Sequence, residues 1–243
     1  MTLSCRLLPD AVADGPANMA DDEVLLRSAA LGLPSLRFYG WTEATISLGY
    51  FQPAARRLED PLLSDLPFLR RPTGGDALVH HHELTYCLAV PSEQARRSAP
   101  PWLAMHEVIA TALAEFGVDA HPHVAGGEDS FSGFLCFEHF TPGDLIVNGA
   151  KVVGSAQRRQ RSAVMQHGSI LLARSPFTPS LPGIRELSGV RLDGSRLRTA
   201  VVSHFERWSG WRVEPGAWTE EEQRAKVALA AERYATDAWN RKR

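Results

Sequence analysis

Residues 136–161 read CFEHFTPGDLIVNGAKVVGSAQRRQR, and the fold turns on how this stretch divides. Asn148-Gly149 stands between two apolar runs, DLIV and AKVV. A type I′ turn needs positive φ at both central positions, so the stretch predicts a β-hairpin with Lys151 at the start of the returning strand. The polar stretch from Arg158 to Ser162 then leads into a further strand, VMQHGSILLA. Lys151 is either an edge-strand charge that discourages aggregation or an amine held for chemistry. Gly154, Ser155 and Ala156 favour the second, because small residues leave room at the backbone and an apolar neighbourhood lowers a lysine's pKa.

Upstream, residues 68–90, FLRRPTGGDALVHHHELTYCLAV, read as strand, Gly74-Gly75-Asp76 turn, strand. Two earlier strands are expected at LRFYGW (36–41) and ATISLGY (44–50). A helix is expected from Met19 to Ala30, with Met19, Val24, Leu25 and Ala29 near one face and Pro34 blocking continuation. Pro100-Pro101 opens a second helix through Phe116, stopped by Gly117. Thr219 with Glu222 forms a capping box that starts a C-terminal helix running to about Trp239. Residues 176–182 are proline-rich without marking a domain boundary. Short strands alternating with a few helices predict a single α/β (α+β) domain over residues 1–243.

Composition narrows the function classes. The chain has 243 residues, 44% of them hydrophobic, enough for a substantial core. A formal net charge of −2 gives no global field for nucleic acid or an anionic membrane, so charge-guided docking is local. Cys5, Cys87 and Cys136 are too few and odd in number for a disulfide framework. No signal peptide or membrane-length apolar run is visible, and a cytoplasmic location is expected.

Cysteine attacks as thiolate, a form that a nearby cation favours. A strand and an Asn-Gly hairpin separate Cys136 from Lys151, a spacing that allows the two to meet across a sheet. The alternative for Cys136, between Leu135 and Phe137, is an ordinary buried thiol. Gly74-Gly75 sits in neither a GxxxxGK[ST] nor a GxGxxG frame, so it is weak as a nucleotide signature. His80, His81 and His82, if on a strand, point to alternate faces and do not gather round one metal. His121/His123 and Cys136/His139 have usable spacings but lack a matching second pair, so no metal site is expected.

The stretches NMADDEVLL (18–26), LRFYGW, ISLGYFQ (46–52), RRPTGGDALVHHHELTYCLAV (70–90) and residues 136–172, in that order, resemble the catalytic domain shared by biotin and lipoate protein ligases and octanoyltransferases. The likeness covers about residues 18–173, is to the lipoate branch, and is most specific in GAKVVGSAQRR followed by QHGSILL. It implies a largely antiparallel mixed sheet plus a smaller sheet, with helices on the outer faces. A cysteine ahead of the hairpin is similar to thiol-dependent octanoyltransferases that act on lipoyl carriers. It implies Cys136 and Lys151 as catalytic residues, with Arg71, Thr73, Gly74, Gly75, His80, Gly154, Ser155, Ala156, His167 and Gly168 binding substrate. In this reading Lys151 favours the thiolate and shuttles protons.

The donor is then octanoyl-acyl carrier protein, the acceptor a lysine of a lipoyl-domain protein (a glycine cleavage H protein or an E2 subunit), and no cofactor is required. Three alternatives stay open: an amidotransferase between lipoyl proteins, an ATP-dependent lipoate ligase, and a non-catalytic acyl- or carrier-binding member. Because these carriers are typically acidic, Arg70, Arg71, Arg158, Arg159 and Arg161 are expected to give a local basic surface. Arg96-Arg97 and the tail Arg241-Lys242-Arg243 are expected to be plain surface charge. Asp76 departs from the family pattern, where glycine or arginine commonly follows the Gly-Gly pair, as does the tripled histidine.

Overall fold

Asn148 and Gly149 have φ of 47° and 81° in the computed structural model, so the hairpin turns where the dipeptide dictates. The structure describes residues 3–96, 101–124, 133–160 and 162–243. The expectations for Arg97, Pro100 and Arg161 fall outside them.

In chain order, β1 (Ser4–Leu7) and β2 (Ala11–Ala13) precede α1 (Gly15–Ala30), followed by β3 (Ser35–Trp41) and β4 (Thr45–Leu48). Next come α2 (Pro61–Ser64), β5 (Phe68–Arg70), β6 (Leu78–His80), β7 (Glu83–Pro91), α3 (Ser92–Arg96), α4 (Pro101–Ala114) and β8 (His121–Pro122). The hairpin strands are β9 (Leu145–Val147) and β10 (Ala150–Gln160), and β11 (Ala163–Leu171) returns beside them. The chain ends in α5 (Ile184–Ser188), α6 (Gly194–Ser209), β12 (Arg212–Pro215), α7 (Glu220–Leu229) and α8 (Asp237–Asn240).

Among the described residues the large mixed sheet runs β12-β1-β3-β7-β11-β10-β9-β8, with β2 also on β3, and a smaller sheet runs β5-β4-β6. Every residue of β11 is buried, because both faces of the large sheet are covered. On one face Leu25, Leu26 and Ala29 of α1 pack with Cys87, Ala89 and Met165. On the other, Val108, Ile109, Ala112 and Leu113 of α4 and Leu197, Val201 and Phe205 of α6 pack with Phe38, Tyr86 and Leu88. The single mixed α/β domain with a large and a small sheet is as expected. Among the described residues no helix is long and apolar enough to cross a membrane.

Four local expectations are corrected. Helix α1 begins four positions before Met19, because the Asp14 side chain accepts from Ala17 N (2.9 Å) and Pro16 fits the first turn. β10 carries Arg158, Arg159 and Gln160 inside the strand, paired with Met165, Val164 and Ala163, where a polar connection was expected. Only His80 lies on a strand; His81 and His82 lie in the link to β7 and stack on each other at 3.8 Å. The C-terminal helix does start on its Thr219/Glu222 capping box, but α7 stops at Leu229, loosens into a π-helical turn (Ala230–Tyr234) and resumes as α8. That break turns Trp239 and Asn240 onto β5, where Trp239 Nε1 donates to Arg70 O (2.8 Å) and Asn240 Oδ1 accepts from Arg70 N (2.8 Å).

Candidate active site

Lys151 owes its direction to an irregularity that the hairpin signal does not reveal. β10 pairs with β9 through Lys151↔Ile146 and then Val153↔Leu145, a shift that inserts one extra residue and re-aims the strand. The side chain is buried, and Nζ lies 2.7 Å from Asp144 Oδ2. It also donates to Cys136 O (3.1 Å), His139 O (3.2 Å) and, at 3.5 Å, to Cys136 Sγ. The apolar surroundings expected for this lysine are therefore replaced by a carboxylate and two carbonyls. The same burial removes the edge-strand reading. Gly154 leaves the space, because a Cβ there would come within 2.6 Å of Lys151 Cε.

Asp144 is itself held. Its Oδ2 accepts from Thr141 N (2.7 Å) and Thr141 Oγ1 (2.8 Å). From α4, His106 Nδ1 donates to Gly143 O (2.6 Å), supporting the same turn. Burial holds the His106 imidazole below its ordinary range.

Cys136 opens a short 3-10 turn, Cys136–Glu138, docked beside the glycine turn. Ala77 N donates to Phe134 O (3.2 Å) and Cys136 N donates to Ala77 O (2.7 Å). The three thiols then separate by environment. Cys5 is buried, which pushes it up to about 12, and Cys87 is driven far up by burial and the neighbouring Asp22. Cys136 is partly exposed and lines a cavity between the two sheets.

The cavity lies where β4 and β6 of the small sheet meet β10 and β11 of the large one. Of the candidate binding residues, Arg71, Gly75, His80, Gly154, Ser155, Ala156, His167 and Gly168 line it with Cys136. Thr73, Gly74 and Lys151 stand behind this wall. Thr73 Oγ1 meets His167 Nε2 at 2.7 Å, and Gly74 O accepts from Arg71 Nη2 at 2.7 Å. Gly75 has φ of +84°, and its carbonyl lies where a side chain on Gly49 would have to go, so both positions need glycine. Asp76 is accommodated at the rim: its carboxylate accepts from Gln52 Nε2 (3.0 Å) and faces His139 at 3.9 Å.

Several participating residues were not singled out from the sequence. Asp22, buried on α1, accepts from His167 Nδ1 (2.8 Å) and from the Tyr39 hydroxyl (2.9 Å). Glu83 accepts from His80 Nδ1 (2.6 Å), and Ser47 meets His80 Nε2 at 2.8 Å. Three consecutive acids on an otherwise apolar helix, Asp21-Asp22-Glu23, were the clue, since all three are buried. The basic surface is also revised. Arg70 and Arg71 are buried, with Arg70 holding the carbonyls of Gly49, Gln52 and Asn240. Arg158 donates to Pro72 O (2.8 Å) and Arg159 is exposed. In the tail, Lys242 Nζ sits 3.5 Å from the ring centroids of Tyr50 and Trp239, so it is not plain surface charge. Among the described residues no group of three or more His, Cys, Asp or Glu side chains gathers as a metal site would require.

The chain is similar to known proteins in sequence and in fold. Residues 14–177 match the model of the lipoyl protein ligase A/B catalytic domain. The chain belongs to this family. Within it, octanoyltransferase LipM of Kyrpidia tusciae is 33% identical over 268 residues, covering 97% of each chain. Octanoyltransferase LipM of Bacillus subtilis is 32% identical over 272 residues and covers 98% of each. The family fold is also seen in a crystal structure of lipoate-protein ligase A bound with ATP, with a TM-score of 0.77 at 21% identity over 98% of this chain and 99% of that one. A structure from the structural analysis of an archaeal lipoylation system, a bipartite lipoate protein ligase and its E2 lipoyl domain from Thermoplasma acidophilum, gives 0.73 at 20% identity over 98% and 96%.

Proposed function

We propose that this octanoyltransferase of lipoate biosynthesis works through a thioester on Cys136, taking the octanoyl group from acyl carrier protein and passing it to a lysine of a lipoyl-domain protein. The observation that carries the reading is the 3.5 Å contact between Lys151 Nζ and Cys136 Sγ at the wall of the cavity. Near-full-length likeness to octanoyltransferases supports the acyl group.

In the first half-reaction Cys136 Sγ bonds to the octanoyl carbonyl carbon. The bond from that carbon to the donor's sulfur breaks, and the released thiol leaves with the proton given up by Cys136. In the second, the acceptor amine bonds to the same carbon, the bond to Sγ breaks, and the proton shed by the amine returns to the sulfur. A thioester is already activated and its conversion to an amide runs downhill, so the reaction needs neither ATP nor another cofactor.

Lys151 acts here as a fixed ammonium more than as a shuttle. It has fewer N–H bonds than its four acceptors, and Asp144 with two carbonyls occupies the shorter contacts. Its role is to anchor the Cys136 turn while holding its charge beside the sulfur. Local charge for an acidic carrier comes from exposed Arg159 and the Lys242–Arg243 tail rather than from Arg70 and Arg71. A reducing cytoplasm suits three free thiols.

The test is a comparison of donors with one lipoyl-domain acceptor: octanoyl-carrier protein, an octanoylated lipoyl protein, and free lipoate with ATP. The proposal expects transfer from the first. Transfer only from the second identifies an amidotransferase, and pyrophosphate release with the third identifies a ligase; either result overturns the donor assignment.

A further inference from the structure

Arg71 is a buried cation with no acid of its own. Its Nε donates to Thr73 Oγ1 (3.1 Å), Nη1 to Ser47 O (2.9 Å) and Ser47 Oγ (3.4 Å), and Nη2 to Gly74 O and Asp76 O (2.7 Å each). All of these acceptors are uncharged. Among the described residues no carboxylate pairs directly with it; the Asp76 carboxylate, 38% exposed, accepts from Gln52.

Two acids stand further out, each reached through an imidazole and a hydroxyl, and Asp22 is already paired with buried Arg37 at 3.4 Å. On one side Asp22 Oδ2 lies 2.8 Å from His167 Nδ1, and His167 Nε2 lies 2.7 Å from Thr73 Oγ1. On the other, Glu83 Oε1 lies 2.6 Å from His80 Nδ1, and His80 Nε2 lies 2.8 Å from Ser47 Oγ. With both acids ionised, each Nδ1–H donates to its carboxylate and each neutral Nε2 accepts from a hydroxyl. Each hydroxyl then turns a lone pair toward the guanidinium. His80 is further fixed by stacking on Trp41 at 3.8 Å.

The two cations near the thiol therefore differ. The charge of Lys151 is matched at 2.7 Å by a buried carboxylate, whereas that of Arg71 is not. Arg71 and Cys136 also attach to adjacent residues, one through Asp76 O and the other through Ala77 O, and both face the cavity. Burial pulls the guanidinium below its ordinary range, and among the groups opposing that pull Cys136 comes ahead of Asp76.

We infer that Arg71 is the uncompensated positive charge that stabilises negative charge on the Cys136 sulfur and the acyl oxygen during transfer. Asp22–His167–Thr73 and Glu83–His80–Ser47 are two positioning arms that hold it in place. Water-poor sites make such a fixed charge count for more than it does in solvent. The inference rests on Cys136 being the nucleophile.

It is tested by the rate at which iodoacetamide alkylates Cys136 at neutral pH, located by peptide mass, beside the rate of octanoyl-thioenzyme formation. Thr73→Val and Ser47→Ala each remove one hydroxyl without changing charge, so they carry the test even where Arg71→Met does not fold. The double variant, folded by circular dichroism, is expected to react about tenfold more slowly in both assays. Arg71→Met is expected to lose more, and Arg71→Lys to recover part of that loss. The paired change Lys151→Met/Asp144→Asn, which leaves net local charge as it was, is expected to cost alkylation less than Arg71→Met. Unchanged alkylation in the hydroxyl double variant, with only a lower melting temperature, means the arms are structural and overturns the inference. A larger alkylation loss from the Lys151/Asp144 pair than from Arg71→Met overturns it equally. If the parent fails to transfer octanoyl while alkylation across the variants follows the expected order, the octanoyl-transfer reading fails and only the stabilisation of the Cys136 sulfur by Arg71 stands.

Discussion

At the scale of single residues, the site depends on what Gly154 leaves empty. A methyl group there meets the Lys151 side chain at 2.6 Å and its Nζ at 3.1 Å, so the ammonium must move off the sulfur. Gly154→Ala is expected to keep the fold and lower kcat/KM for octanoyl transfer by about tenfold to a hundredfold, the cost typical of an ångström's misplacement. Parental activity in that variant would show that the contact at 3.5 Å is incidental. Thiol titration offers a second check: native protein should expose Cys136 to a disulfide reagent and withhold Cys5 and Cys87, which are 1% and 0% exposed, until denaturant is added. A short-range turn signal allowed Cys136 and Lys151 to meet, and the family likeness is what singled them out. Asp144, Asp22 and Glu83 were not legible, since a carboxylate's partner depends on burial and register that no local pattern carries. Arg70 and Arg71 misled for the same reason: adjacent arginines read as surface, yet their donors end on buried carbonyls.

Among the elements, the Asn148-Gly149 hairpin was readable because its turn chemistry is local. Its one-residue shift beyond Lys151 was not, because a bulge leaves no mark in composition. The C-terminal helix shows the converse: the capping box at Thr219 was visible, but the break after Leu229 answers to tertiary demands. Tyr234 lies in the break, and its buried hydroxyl donates to Glu23 (2.6 Å). The segment after it closes the back of the glycine turn, since Asn240 accepts from Arg70 N and through its own carbonyl from Arg70 Nη2 (2.9 Å). Asn240→Ala leaves a buried backbone donor without its partner, a loss of about 1–3 kcal/mol. A urea titration should show that loss as a lower midpoint at unchanged slope. Because Arg70 adjoins Arg71, the variant should also slow octanoyl transfer. An unchanged midpoint would mean that α8 is not a clamp.

For the whole molecule, the ends of the chain are joined through Glu222 of α7. Arg6 of β1 donates to it at 2.7 and 3.1 Å, Ser28 of α1 at 2.5 Å and Thr219 N at 2.8 Å. Burial works against the carboxylate's charge, but these donors prevail and hold it down to about 2. A carboxylate depressed in the folded state adds stability above its unfolded value and loses it as pH falls toward the folded one. The stability gap between the parent and Glu222→Gln should therefore be full at about pH 6 and narrow steadily below about pH 4.5. A gap independent of pH would remove this linkage. The mixed sheet and its companion were foreseeable from the strand pattern and the family likeness, whereas the packing of the C-terminal region against α1 and β5 was not. What this architecture achieves is the meeting of a thiol, an ion-paired lysine and a buried guanidinium at one cavity. The most direct test is the intact mass of the protein after mixing with octanoyl-carrier protein in the absence of acceptor. The account predicts one added octanoyl group, mapped to Cys136, released by hydroxylamine and absent from Cys136→Ser. An unmodified parent, or a Cys136→Ser variant that still transfers octanoyl at near-parental rate, would contradict it.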